Sequence, residues 1–186
     1  MDLQQSLQED NQNNCNVFET SLPKKSHHHR HETGLQPPHL TSENLTIADI
    51  GELALIERLK PFCAEGEIGD DAALMDLQSD HKLVVTTDML TENVHCGDYT
   101  MPAYTVGWRA VTSSLADLAA MGASPLGITV ALGLPGQTPW PWVEDLYRGM
   151  KDCLNTQSVA AILGGDLCRA TKYTISITAL GQVPLE

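Results

Sequence analysis

The chain has 186 residues, with 11 Lys and Arg against 24 Asp and Glu and a formal net charge of −13, a length that allows one domain with a sizeable core or one and a fraction. That charge argues against nucleic-acid partners, which are held by Lys and Arg clusters, and no apolar run is long enough to span a bilayer. Five cysteines, odd in number and without a Cys-x-x-Cys pair, suggest neither a disulfide framework nor a zinc knuckle; with an acidic, polar start that does not read as a signal peptide, a reducing, cytoplasmic setting is expected.

Residues 1–41 are rich in Gln, Asn, Ser and His and poor in periodic apolar positions. Such a composition cannot offset its ordering entropy, and a disordered leader is expected. Its His27-His28-His29-Arg30-His31 cluster reads as a solvated tail or a cloning remnant, with adventitious metal binding as the alternative. Residues 42–186 are expected to form the ordered domain.

Ile47, Ile50, Leu53, Leu55, Ile56 and Leu59 recur at helical spacing, and Pro61 is expected to end that helix. A Gly-rich loop with Asp70 and Asp71 follows, then a short strand over Ala72 to Leu77 and a second over Leu83 to Thr87, delivering Asp88 at its end. A long helix runs from Ala103 to Met121, opened by Pro102 and closed by Gly122, with Val106, Ala110, Val111, Leu115, Leu118 and Ala119 on its buried side. Next come a strand at Leu126 to Leu134, a helix at Trp142 to Gln157, a buried strand at Val159 to Leu163 and an alternating strand from Tyr173 to Val183. This order predicts an α/β sandwich. The chain ends just after a strand, as a fragment would.

Four stretches each bring aspartate to the end of a predicted element: Gly69-Asp70-Asp71, Thr86-Thr87-Asp88, Leu115-Ala116-Asp117-Leu118 and Gly164-Gly165-Asp166. Between Gly66 and Leu134 the only Lys or Arg residues are Lys82 and Arg109. Carboxylates that converge without cationic partners bind metal, raise their pKa or stay in water. Oxygen-rich sites suit hard ions, and Mg²⁺ on a few carboxylates also holds substrate phosphates. The divalent charge then outweighs the repulsion between an acidic chain and a phosphorylated ligand.

Each motif has a plainer reading. Asp70-Asp71 fits a solvated turn, and Thr86-Thr87-Asp88 fits a helix cap, although strand ends are where α/β proteins place ligands. Asp117 is the most telling, because an aspartate in the last helical turn is disfavoured by the macrodipole and calls for compensation. Gly164 and Gly165 permit close backbone approach to a phosphate. Arg109 is a candidate salt-bridge partner for one of the carboxylates. There is no Walker loop and no protein-kinase Gly-rich signature.

Ile68-Gly69-Asp70-Asp71-Ala72-Ala73, Thr86-Thr87-Asp88-Met89-Leu90 with Glu92-Asn93-Val94-His95, Ser114 to Ala123 with Pro125, and Gly164-Gly165-Asp166, in that order and spacing, resemble the thiamine-monophosphate kinase family over roughly residues 50–184. The resemblance is to the amino-terminal, ATP-binding domain shared with aminoimidazole ribonucleotide synthetase and its relatives. It implies an α/β fold with a mixed sheet packed on helices, the sheet pairing with that of a second copy to form a barrel.

The activity implied is transfer of the ATP γ-phosphoryl group to thiamine monophosphate. Carried over by position, Asp71, Thr86, Thr87, Asp88, Asp117 and Asp166 are expected Mg²⁺ ligands, and His95 a substrate contact. Gly165, Asp166 and Tyr147 are expected to lie against ATP. No protein nucleophile is implied. The family's carboxyl-terminal domain is missing from these residues, and the leader is foreign to the family pattern. Another ATP-dependent synthetase of the same superfamily, or a non-catalytic divalent-metal module, are the competing readings.

Overall fold

The computed structural model describes residues 45–65, 72–95, 101–156 and 161–185. The chain divides into Met1–Thr41 and Ser42–Glu186; the leader, the His cluster, Asp70 and Asp71 lie outside the described residues.

The first helical segment is two helices. Thr46 caps α1 (Ile47–Ile50), its hydroxyl accepting from the Asp49 amide while the Asp49 carboxylate accepts from the Thr46 amide at 3.0 Å. This reciprocal capping box satisfies donors that a helix start leaves open, and it holds the Asp49 carboxyl below the usual carboxylate range. Gly51, at φ +76°, then breaks the chain before α2 (Glu52–Leu59), a conformation open to glycine and costly to other residues. A 3-10 turn over Lys60–Phe62 takes in Pro61 near its start, where a missing N–H is harmless.

Four strands, β1 (His81–Thr91), β2 (Ser124–Leu134), β3 (Ala161–Arg169) and β4 (Thr174–Pro184), form one mixed sheet in the order β1-β4-β2-β3. β4 is antiparallel to both β1 and β2, and β2 is parallel to β3. The parallel pair is joined through α4 (Trp140–Thr156), as parallel strands require. The segment expected as a strand at Ala72 to Leu77 is not one: it pairs with no described strand, and Leu74 stands 91% exposed.

β1 and β3 both outrun their expected ends. β1 keeps pairing with β4 to Thr91↔Thr174, so Asp88 lies within the strand, opposite Ile177. β3 passes Leu163 through a bulge opposite Ile128/Thr129, with Gly164 at φ +156°, and Asp166 pairs with Ala131 inside the ladder.

One face of the sheet carries Ile175, Ile177, Ala179, Ile128, Val130 and Leu132, all buried, beneath α3 (Ala103–Ala120) and α4. The helix α3 presents Val106, Ala110, Val111, Ser114 and Leu118 to the core, the spacing of an amphipathic helix. Ala119, expected on that side, is exposed, and Leu115 is half-buried. A Schellman motif ends α3: Ala123 donates to Leu118 O at 2.9 Å, Gly122 to Ala119 O at 3.0 Å, and Gly122 adopts φ +65°. The helices α3 and α4 pack through reciprocal glycines, since a Cβ on Gly107 would collide with the Leu146 carbonyl and one on Gly149 with that of Tyr104.

Candidate active site

Alternation along β1 sorts the candidate ligands by face. Val84, Thr86, Asp88 and Leu90 point to the α3 side, whereas Leu83, Val85, Thr87 and Met89 point to the opposite side and are exposed. Two hydrogen bonds cross from β1 to α3. The Thr86 hydroxyl donates to Asp117 Oδ2 at 2.8 Å, and the Ser114 hydroxyl donates to Asp88 Oδ2 at 2.9 Å. Ser114 and Asp117 are one helical turn apart and Thr86 and Asp88 two strand positions apart, so strand and helix periods bring both pairs into register.

Asp117 is exposed in the last turn of α3 and Asp88 is half-buried beneath it. The group that meets Asp117 is a neutral hydroxyl. Arg109, expected to pair with a carboxylate, instead donates through Nη1 to the backbone oxygen of His95 at 2.7 Å. That bond anchors the turn after β1, in which the Thr91 amide donates to His95 Nδ1 at 3.3 Å and the imidazole stays exposed.

Thr87 and Asp166 belong to the other face. Thr87 shares a 3.0 Å hydrogen bond with Thr178, and the register places Asp166 in the row of Ala131, Ser176 and Met89. The six expected metal ligands therefore separate in the structure: Thr86, Asp88 and Asp117 gather between β1 and α3, Thr87 and Asp166 lie on the sheet's far face, and Asp71 is outside the described residues. Among the described residues no three His, Cys, Asp or Glu side chains come close enough to hold an ion by themselves.

The residues expected against ATP converge. Gly165, Asp166 and Tyr147 line one cleft of about 660 Å³ along β3, walled on its other side by α2, Cys63 and Met75. A Cβ on Gly165 would strike the Val130 carbonyl, so glycine here lets β3 lie close to β2. Tyr147 is buried, with its ring 6.0 Å from that of Phe62, and burial raises its phenol well above the ordinary value. Burial likewise pushes the Cys63 thiol up to about 11, against a weaker pull from Lys151.

Ser114 is the residue that the sequence reading passed over. Among the described residues it is the only Ser, Thr, Asn, Gln or charged side chain buried in the core. Its signal was present: a hydroxyl on the apolar stripe of Val111 and Leu118, three residues before Asp117.

The chain also matches known proteins in sequence and fold. Residues 69–183 match the family model of the AIR synthase related protein, N-terminal domain. Thiamine-monophosphate kinase of Synechococcus elongatus is 41% identical over 138 residues, covering 74% of this chain and 42% of that protein. The crystal structure of thiamine-monophosphate kinase from Stenotrophomonas maltophilia K279a is 37% identical with a TM-score of 0.61, covering 72% of this chain and 43% of that one. A structure of AaThiL complexed with AMPPCP and TMP is 29% identical with a TM-score of 0.54, covering 75% and 44%. The chain thus spans less than half the length of each of these relatives. With residues 69–183, more than half of the chain, matched by the family model and the mixed sheet and helix layer in place, the chain belongs to the AIR synthase related proteins, N-terminal domain.

Proposed function

We propose that this chain supplies the ATP and Mg²⁺ half of a cytoplasmic thiamine-phosphate kinase. The observation that carries the proposal is the 41% identity to a thiamine-monophosphate kinase. The relative solved with AMPPCP and TMP supports the choice of ligands. In the reaction, a phosphate oxygen of thiamine monophosphate attacks the γ-phosphorus of ATP, the bond from that phosphorus to the β–γ bridging oxygen breaks, and ADP leaves. The attacking group belongs to the substrate, so the protein's work is positioning and charge neutralisation.

Within that scheme, the cleft along β3 takes the nucleotide: Gly165 keeps backbone within reach of its phosphates, Tyr147 forms part of the wall and Asp166 stands at its mouth. His95 is assigned to the thiamine phosphate. The donor chemistry fits Mg²⁺, because Thr86, Asp88 and Asp117 offer only hard oxygen, and this ion is commonly held by one or two carboxylates together with phosphates and water. A hydroxyl that donates to a carboxylate, as Thr86 does, keeps its lone pairs for a cation. Asp71, Thr87 and Asp166 are the remaining proposed ligands, Thr87 and Asp166 serving a separate ion because they lie on the other face of the sheet. When bound, the ion supplies positive charge against the phosphates.

The face of the sheet turned away from the helices carries Leu83, Val85 and Met89 at 47, 54 and 57% exposure. Exposed apolar area of this kind marks an interface, and a second copy of the chain is the proposed cover. Among the described residues no helix is long and apolar enough to cross a membrane. Calorimetry of ATP binding, with Mg²⁺ and then with EDTA, tests the metal-bridge reading: binding should require the ion, and equal affinity in both buffers overturns it. Formation of thiamine diphosphate by the full-length protein tests the activity.

A further inference from the structure

The buried hydroxyl beneath Asp88 has a consequence for which ion the site accepts. Ser114 is fully buried on α3 and its hydroxyl reaches Asp88 Oδ2 at 2.9 Å. Helix α3 is fixed from both sides at this level, by Val111 and Leu118 in the core and by the Schellman turn behind it. With the backbone held, the Ser114 oxygen can follow a rotating carboxylate only by turning about its own Cα–Cβ bond. A carboxylate oxygen that already accepts a bond from a buried hydroxyl is a poorer ligand than its partner oxygen, and rotating both oxygens toward a cation would break that bond in the core.

We propose that Ser114 is a positioning residue that restricts Asp88 to one ligating oxygen and thereby favours Mg²⁺ over Ca²⁺. Mg²⁺ demands a tight octahedron at 2.0–2.1 Å, which single-oxygen carboxylates satisfy, whereas Ca²⁺ takes six to eight oxygens and uses carboxylates in either one-oxygen or two-oxygen mode. With the hydroxyl in place the two-oxygen mode at Asp88 is closed. The inference rests on the metal site proposed above, and the Thr86 to Asp117 bond is its counterpart on the second carboxylate.

The test uses Mn²⁺ as a paramagnetic probe bound to the full chain, displaced in parallel by Mg²⁺ and by Ca²⁺ and followed by electron paramagnetic resonance. In Ser114→Ala the ratio of Ca²⁺ to Mg²⁺ displacing concentrations should fall by about tenfold, the lower end of what loss of an outer-shell partner does to metal affinity. A ratio unchanged from the unaltered chain overturns the proposal, even if the variant melts earlier, because a purely structural serine would shift stability alone. If Ser114→Ala does not fold, Ser114→Cys, with a weaker donor at similar volume, should lower the ratio by a smaller factor, and an unchanged ratio there overturns it equally. Failure of the unaltered chain to bind Mn²⁺ at all overturns the metal site together with this inference; binding with an unaltered ratio overturns the inference only.

Discussion

Thr86 on β1 and Asp117 in the last turn of α3, 31 residues apart in sequence, are joined by a 2.8 Å hydroxyl-to-carboxylate bond. The bond ties the strand to the helix at the point where the helix dipole opposes a negative charge. Asp117 is exposed, so solvent keeps that repulsion small, and a bound cation would offset it. If the proposed kinase activity holds, Asp117→Asn in a protein that shows it should reduce kcat/KM on the order of a hundredfold, as changes around metal ligands do. Without Mg²⁺ the same variant should be as stable as the parent or more stable by about 0.3–1 kcal/mol, since Asn still accepts from Thr86 and relieves the dipole clash. Steady-state kinetics with thermal denaturation in EDTA checks both parts, and near-normal turnover would reduce Asp117 to a surface residue.

Much of the fold was legible because local rules and tertiary packing agree. Gly122 after an apolar 3.6-residue stripe announces the end of α3, and the alternating Ile175, Ile177 and Ala179 announce β4. The errors fall where pairing decides. Ala72 to Leu77 has strand composition without a strand partner, while β1 and β3 continue through Asp88 and Asp166 because β4 and β2 continue beside them. Gly164 and Gly165 look like the end of a strand but pair within one, just past the bulge at Leu163. At the site, the spacing of Thr86, Thr87 and Asp88 gave the donors but not their faces, which follow from the two-residue period once the side covered by α3 is known. Ser114 showed in the sequence only as a hydroxyl on an apolar stripe, and its role was hidden because its partner Asp88 lies 26 residues away and meets it only across the fold.

Gly165 offers a test of the cleft's architecture. An added Cβ would collide with the Val130 carbonyl in the neighbouring strand, which is backbone and cannot swing aside. Gly165→Ala should therefore destabilise the domain by about 1–3 kcal/mol, the range for overpacking a close contact. Urea denaturation of the two proteins gives the difference. A change within error would mean that β3 is free to move away from β2, and the cleft with it.

Cys63 reports on the same cleft from the opposite wall. Burial holds its thiol near 11, above the ordinary 9.0, and the thiolate is the reactive form. At pH 8 its alkylation by iodoacetamide should run about a hundredfold slower than that of a free thiol, with the rate climbing tenfold per pH unit up to about 11. Mass spectrometry of the Cys63 peptide across that range checks the slope. A rate that levels off near pH 9 would show that the pocket wall is open to water.

The sheet face away from the helices bears on assembly. Val85 and Met89 stand 54 and 57% exposed on β1, next to Leu180 and Ser176 of β4 on the same face. A second copy set against this face would remove that apolar area from water, at about 25 cal/mol for each Å² covered. Val85→Glu places a charge where the cover would lie, while on the monomer it adds only an exposed side chain with little effect on stability, within about 0.5 kcal/mol. The unaltered chain should therefore sediment as a dimer and Val85→Glu as a folded monomer, with circular dichroism confirming that the fold survives. The contrast with the helix side decides the interpretation, because a charge at Ile177, buried on the face beneath α3, would unfold the domain and could not distinguish an interface from a core. A Val85→Glu protein that remains dimeric would move the interface off this face, and a monomeric unaltered chain would leave the exposed apolar row to be covered by something other than a second copy.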